Sequence, residues 1–430
     1  MSDIWDKLLY LTYCPMAESL WGKVYFKDYY AGRLEEQPGG RCVFTYDASY
    51  LKAKYPAISY NLPLQKEPHI CERGLHPFFD NLVAEGWLKN AQAKALGKNP
   101  NNRFALLLGF GYDLAGAVCV IDPDPLQHKH LDHLDEATIR AALGRASLSG
   151  VQRKLLLVKD GKEFRPVKPK ELSTHIAKLP SGDLSNLVEL EFLTTLAVKN
   201  LLPRDEIVDL EIAKIPSIKE TALIVPRFDR KNGKRLHFEE FNSLLNRYSG
   251  DDKYDGSYEE MGQFISNNSL CVPAESERLF KRVLACLLVG NTDAHLKNFA
   301  MFHTKAGLRL TPVYDLVSSA VYPQYSSIAL NLAGNKDLTL NMLKPKHLVL
   351  MGKGFGLSDE VCEMAIGELR KSLDSAYVSL EQAEVGTKEL RGKIQKLMEA
   401  RWKGSFESTG KLLLKRQSKD AKSKTLRKKS

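Results

Sequence analysis

The chain has 430 residues, of which 43% are hydrophobic and 27% charged, and carries a formal net charge of +10. This balance suits a globular protein of two or three domains and excludes a fibrous or wholly disordered chain. No run approaches the roughly 20 apolar residues of a membrane span, and an N-terminus with Asp3 and Asp6 does not read as a signal peptide, so a cytoplasmic protein without membrane attachment is expected.

The charge is unevenly placed. Lys411 to Ser430 holds nine basic residues and one acidic, net +8, which leaves the body nearly neutral. Few apolar residues follow Leu414, so residues 406–430 read as a basic, disordered tail able to touch phosphate backbones weakly. The seven cysteines are scattered and never in Cys-x-x-Cys spacing, which argues against a disulfide framework or a zinc site.

In chain order, residues 1–20 form an extension and 21–135 a compact α/β subdomain. Gly22-Lys-Val-Tyr-Phe26, Ala31-Gly-Arg-Leu34 and Cys42-Val-Phe-Thr-Tyr46 are short strands separated by turn formers. Leu75 to Gly86 reads as a helix with Pro77 at its start and Gly86 at its end. A buried helix end over 105–111 and a strand over 116–121 follow, and a Pro- and His-containing stretch near 122–135 marks a linker.

Residues 136–228 open with Ser147-Leu-Ser149-Gly150-Val151-Gln152-Arg-Lys154, a small polar turn leading into the strand Leu155–Val158. Gly161 turns the chain into a second strand, Phe164–Lys168, and a third strand carries His175 to Lys178. Backbone N–H groups of a Gly/Ser turn can cover nucleotide phosphates, and a lysine on the third strand can pair with them. Lys178 is that lysine, although the turn taken alone also fits an ordinary hairpin. The helix Asn186–Lys199 offers Glu189 and Glu191 to it; Glu191 is the chosen ion-pair partner, and either glutamate also fits a solvated helix charge. A buried strand from Thr221, broken at Pro226, sits where a hinge would join two lobes.

Residues 229–405 read as mainly helical. Leu279, Phe280, Val283, Leu284, Leu287 and Leu288 recur at helical spacing with Gly290 at the stop position. Ala300–His303 and Leu308–Thr311 alternate around Lys305-Ala-Gly307 as a hairpin. Ser358 is placed to cap a helix, and a last helix spans about Thr387 to Trp402.

Between and after these elements stand Gly290-Asn-Thr-Asp293-Ala-His295-Leu-Lys-Asn298 and Pro312-Val-Tyr314-Asp315. Phosphoryl transfer needs one carboxylate to orient a hydroxyl and accept its proton, and an amide and a second carboxylate to grip the metal ions bridging the phosphates. Asp293, Asn298 and Asp315 supply that set. A capped helix end and loop is the bland alternative, but the order of helix, loop, hairpin and second acid is that of a kinase C-lobe. The Asp-x-His-x-x-Asn form is closer to atypical and lipid-type kinases than to eukaryotic protein kinases.

Seven blocks in order resemble the HipA family, the kinase toxins of HipBA-type toxin–antitoxin systems: Gly22-Lys-Val-Tyr-Phe…Ala-Gly-Arg-Leu with Leu62-Pro-Leu, Pro77-Phe-Phe-Asp-Asn-Leu, Ser147-x-Ser-Gly-Val-Gln-x-Lys, His175-Ile-x-Lys-Leu-Pro, Val225-Pro-Arg-Phe-Asp-Arg, Gly290-Asn-Thr-Asp-x-His-x-Lys-Asn and Pro312-x-Tyr-Asp-Leu-x-Ser. The resemblance implies an α+β, protein-kinase-like two-lobed fold with an N-terminal α/β subdomain and a mainly helical C-lobe. It implies ATP and Mg²⁺ as cofactors, Asp293 as the catalytic acid/base with His295 beside it, and Asn298 and Asp315 as metal ligands. Ser149, Gly150, Val151, Gln152, Lys154 and Lys178 would hold the phosphates; Val225, Arg227, Phe228, His295 and Tyr314 would border the rest of the nucleotide. Ser147 matches an autophosphorylated serine, and Ser149 gives the Ser-x-Ser form of the HipT-like branch, whose N-terminal subdomain is encoded separately as a small antitoxin. Implied partners are a HipB-like helix-turn-helix antitoxin, DNA reached through it or weakly through the tail, and an aminoacyl-tRNA synthetase as substrate. A kinase of small molecules or lipids, and a catalytically quiet binding protein acting with a DNA-binding partner, are the competing readings.

Overall fold

The computed structural model describes residues 20–124, 152–168, 171–216 and 218–427, and of 419–427 the backbone path alone. Ser147, Ser149, Gly150 and Val151, and most of the expected linker, lie outside the described residues.

The first sheet comprises β1 (Trp21–Phe26), β2 (Tyr29–Gln37), β3 (Arg41–Tyr46), β4 (His69–Cys71) and β5 (Val118–Ile121), antiparallel in the order β4-β3-β2-β1-β5. Alternation sets its faces: Gly22, Val24 and Phe26 are buried, while Lys23 is exposed and Tyr25 half-buried. Gly32 of β2 passes so close to β3 that a Cβ there would lie 2.1 Å from the Thr45 carbonyl oxygen. Helices Pro77–Asn81, Gly86–Leu96 and Arg103–Phe110 contribute Phe79, Leu96, Phe104 and Phe110 to one core with Phe44 and Val120 of the sheet. The helix expected to run from Leu75 to Gly86 stops at Asn81. Gly86, at φ +57°, is instead the corner into the next helix, a left-handed conformation that glycine adopts without steric cost.

The second sheet comprises β6 (Lys154–Asp160), β7 (Glu163–Pro166), β8 (His175–Lys178), β9 (Glu211–Ile215) and β10 (Glu220–Pro226), antiparallel in the order β7-β6-β8-β10-β9. Register places Lys154 opposite Lys178. Leu155, Leu157, Ala177 and Ile224 share its buried face with Leu88 of the first subdomain. The strand expected to reach Lys168 ends at Pro166, and the Glu171 carboxylate accepts the Lys168 N–H at 2.8 Å, curling the chain away from the sheet. Helix Leu187–Leu201 follows β8.

A short hairpin of β11 (Arg230–Lys231) and β12 (Lys234–Arg235) leads to the sheet β13 (Phe238–Glu240), β14 (Ala300–Thr304), β15 (Gly307–Leu310). The rest of this lobe is helical: Tyr258–Ser266, Glu275–Val289, Pro345–Gly354, Asp359–Gln382 and Lys388–Arg401. Helix Glu275–Val289 is buried over most of its length and ends on Gly290 at φ +76°. The Ser358 hydroxyl accepts the Val361 N–H, and the Thr387 hydroxyl the Leu390 N–H, each capping its helix. A five-stranded lobe facing a mainly helical one makes this an α+β, protein-kinase-like fold.

Among the described residues the expected disordered tail is not observed. A helix runs from Glu407 to Arg427; its Leu413 is fully buried, and Arg416 lies 3.4 Å from the Asp359 carboxylate. Composition hid it, because the lysines around the Leu412–Leu414 run dilute an apolar turn that docks on the Asp359–Gln382 helix. The six described cysteines are unpaired, and all but Cys71 are buried. Among the described residues no helix is long and apolar enough to cross a membrane.

Candidate functional site

A cavity of about 610 Å³ lies between the lobes, and Lys154, Lys178, Val225, Phe228, Asp293 and Asp315 are among its walls. Its floor is the loop released by Gly290. The Ser318 hydroxyl donates to the Val289 carbonyl at 2.6 Å, the Ser319 hydroxyl accepts the Thr292 N–H at 2.9 Å, and the Tyr258 hydroxyl donates to the Ala294 carbonyl at 3.0 Å. Asn298 closes the loop by accepting the His295 N–H on its side-chain oxygen at 2.9 Å. With the backbone so pinned, Thr292 and His295 are buried while Asp293 is exposed to the cavity.

Asn298 donates from Nδ2 to Asp315 Oδ2 at 2.8 Å. Asp315 stands at φ +57°, a conformation that costs a non-glycine residue energy and concentrates at functional sites. Its other oxygen pairs with Lys178 from β8, and Lys178 Nζ lies 2.5 Å from Glu191 Oε1. The structure therefore joins Lys178, Glu191, Asn298 and Asp315 in one contiguous network, and of the two candidate glutamates it selects Glu191, which is buried.

Burial opposes ionisation of Asp315, but Lys178 and Lys154 outweigh it and hold the carboxyl well below the usual carboxylate range. Lys178 loses hydration too, yet Asp315 and Glu191 hold its pKa above the ordinary value. Glu191 shares that ammonium with Asp315; burial raises its pKa, with Lys178 acting the other way. Asp293 is raised by lost hydration, with a Tyr254 hydrogen bond opposing the shift. Burial, then Lys253, push His295 down to about 3, so the ring is neutral. Its Nδ1 is buried without a hydrogen-bond partner.

The other expected residues are placed variously. Tyr314 donates its hydroxyl to the Lys297 carbonyl at 2.7 Å and packs on Phe228, ring centroids 5.2 Å apart. Gln152 donates to the Leu179 carbonyl at 2.7 Å, joining the start of β6 to the end of β8. Lys154 stands beside Lys178 across the sheet, its pKa lowered by burial. Val225 sits at the end of β10. Arg227 borders the cavity, but its guanidinium is committed to Asp229, Ser173 and the Leu114 carbonyl.

Sequence reasoning gave no role to Lys297, Glu85, Lys253 or Tyr254. Lys297 is buried in the loop that carries Asp293 and His295, 3.0 Å from Glu85 and 3.2 Å from Glu240. A lysine two residues after His295 was the one local signal; its acidic partners lie too far away in sequence to be inferred. Elsewhere, His237, Glu239 and His303 bring three possible metal-ligating atoms within 4.8 Å of one another. Glu239, however, already accepts from Ser59, Tyr60 and Ser243 and lies 2.8 Å from His303, which makes it a clamp between the N-terminal subdomain and the helical lobe.

Comparison with known proteins agrees with this geometry. Residues 146–377 match the HipA-like C-terminal domain and residues 22–121 the HipA N-terminal domain. A putative kinase of Sinorhizobium fredii, Y4dM, is 29% identical over 80% of this chain and 85% of its own length. The serine/threonine-protein kinase toxin HipA of Shewanella oneidensis is 28% identical over 65% of this chain and 71% of its own. A solved structure of the Shewanella oneidensis HipA, HipB and operator DNA complex contains a chain that superposes with a TM-score of 0.69 at 21% identity, over 91% of this chain and 99% of that one. With a two-lobed kinase fold, and with a family match that spans more than half of its length, the chain belongs to the HipA family and is a kinase.

Proposed function

We propose that the chain is an ATP- and Mg²⁺-dependent serine/threonine kinase that acts as the toxin of a toxin–antitoxin pair. The observation that carries this reading is Lys178 joined to both Glu191 and Asp315 on the wall of a cavity that Asp293 also faces. Lys178 would hold the α- and β-phosphates, with Glu191 orienting it. Asp315 and Asn298 offer hard oxygen donors suited to Mg²⁺, which keeps several waters and takes few protein ligands. The ion would neutralise charge on the phosphates and align them. Asp293, open to the cavity, would orient the acceptor hydroxyl and take its proton, while neutral His295 keeps its unpartnered nitrogen beside the site.

The toxin role, a helix-turn-helix antitoxin and an aminoacyl-tRNA synthetase as substrate are proposed from the resemblance to the HipA family, and the Shewanella oneidensis structure with HipB and operator DNA supports the antitoxin partner. Ser147 and Ser149 would regulate the enzyme: a phosphoserine carries about −1.5 to −2 charges, which repels ATP phosphates from the adjoining loop. Intact-mass and peptide mass spectrometry after incubation with Mg²⁺-ATP tests this reading. Wild type is expected to gain phosphate on residues 147–149 and Asp293→Asn none. Phosphate on both proteins or on neither would refute self-modification, and phosphoproteomics after induced expression would identify the substrate.

A further inference from the structure

The Asp293 carboxylate receives a side-chain hydrogen bond from well outside its own loop. The Tyr254 hydroxyl donates to Asp293 Oδ1 at 3.0 Å, and the Tyr254 ring stands edge-on to His295 with centroids 5.2 Å apart. Tyr254 ends a short helical turn, Gly250–Tyr254, and Lys253 and Tyr254 both line the cavity. Lys253 Nζ lies 3.2 Å from Glu85 Oε2, and the other oxygen of Glu85 lies 3.0 Å from Lys297 Nζ in the catalytic loop. Glu85 belongs to the N-terminal subdomain and is 7% exposed. Burial opposes its ionisation, but Lys297 and Lys253 overcome this and hold its carboxyl at about 2. One buried carboxylate thus anchors both ends of the Tyr254–Asp293 hydrogen bond.

An aspartate side chain turns about two torsions, and a general base must meet the acceptor hydroxyl within about 2.6–3.2 Å. Tyr254 fixes one oxygen of Asp293, which sets the carboxylate plane and leaves the second oxygen for substrate. We propose that Tyr254, tethered through Lys253 to Glu85 of the N-terminal subdomain, is a positioning residue that holds Asp293 for proton transfer from the acceptor. The proposal rests on Asp293 being that base. It also gives the N-terminal subdomain a part in the chemistry, because the anchor of the tyrosine's segment is a residue of that subdomain.

The test is ADP formation from Mg²⁺-ATP by the full chain, a readout that needs no identified substrate. Tyr254→Phe removes one oxygen, and misplacing a catalytic group by about 1 Å can cost on the order of a hundredfold. The maximal rate is therefore expected to fall by roughly tenfold to a hundredfold. The ATP concentration for half-maximal rate and the thermal midpoint stay at wild-type values, a separation that a merely structural tyrosine would not give. Glu85→Gln should lower the maximal rate too, and the double variant should lose less than the product of the single losses. A Tyr254→Phe rate at or above wild type would overturn the proposal, since the phenol would then be occupying the acceptor's place. So would a loss matched by weaker ATP use or a lower midpoint. Asp293→Asn, measured alongside, separates the two claims: if it retains the wild-type rate, the assignment of the base itself fails.

Discussion

Two ion clusters of buried and half-buried side chains, one at the end of β10 and one on the cavity wall, are built to opposite ends. In the first, Asp113, Arg227, Asp229 and Arg230 tie the N-terminal subdomain to the end of β10 with contacts of 2.7 to 3.2 Å. Backbone groups complete it: Ser173 N–H and Gly116 N–H donate to Asp113 and Asp229, and the Leu114 carbonyl accepts from both arginines. In the second, Lys178, Glu191 and Asp315 pair among themselves on a cavity wall, and Asp315 remains accessible, its side chain 35% exposed. Burial of charge is common to both and does not identify a site. What separates them is closure: the first pairs its charges with protein even where Arg227 and Asp229 border the cavity, whereas Asp315 of the second stays accessible in a space sized for a ligand.

The most severe way to break this contrast is at the proposed base. Asp293→Asn is expected to lower phosphoryl transfer by several orders of magnitude with an unchanged thermal midpoint, because the amide keeps the shape of the carboxylate and an oxygen to accept from Tyr254. Lys178→Ala should weaken ATP binding and activity together, by about 10²- to 10³-fold in rate, with Glu191→Gln milder. Equal activity of the lysine variant in a radiolabel transfer assay would show that the cavity cluster does not hold phosphate.

Stability effects sharpen the contrast from the other side. Truncation after Gly410 removes buried Leu413 and should cost about 2–3 kcal/mol in urea unfolding, whereas truncation after Ser418 should cost far less. Equal stability of the two truncations would return the whole segment to the status of a solvated tail. The smallest effect concerns pH. Burial and then His303 push His237 down to about 3, so between pH 3 and 6.5 the unfolded chain binds a proton there that the folded chain does not. Stability from this group is complete above pH 6.5 and declines as pH falls, by about 2 kcal/mol from pH 7 to 5. Urea titrations at the two values should show a shallower decline in His237→Gln; an identical slope would mean that His237 is not held neutral.

Much of the site was legible because it is local. The five-residue step from Asp293 to Asn298 is a single loop, and Lys178 and Glu191 lie on neighbouring elements, so spacing with the surrounding elements could nominate them, Glu189 standing beside Glu191 until the fold paired Lys178 with Glu191. Tyr254, Glu85 and Lys253 escaped because their partners lie 39, 212 and 168 residues away, and only the tertiary fold brings them together. Local signals also misled. Gly86 carried a terminator's identity but opens a helix; Arg227, placed at the nucleotide by the family resemblance, borders the cavity with its guanidinium held by Asp113 and Asp229. The Leu412–Leu414 run was outweighed by charge counted over twenty residues, although one buried turn was enough to dock it.

The central claim is tested most directly by measuring two substitutions of the same kind, Asp315→Asn and Asp113→Asn, each for specific activity per folded molecule and for free energy of unfolding. Asp315→Asn is predicted to lose activity by orders of magnitude while unfolding within about 1 kcal/mol of wild type. Asp113→Asn, which leaves buried arginines uncompensated, is predicted to lose about 3–5 kcal/mol of stability while each folded molecule keeps near-normal activity. The reverse pattern, or the same pattern in both variants, would contradict the division between a closed structural cluster and an open functional one.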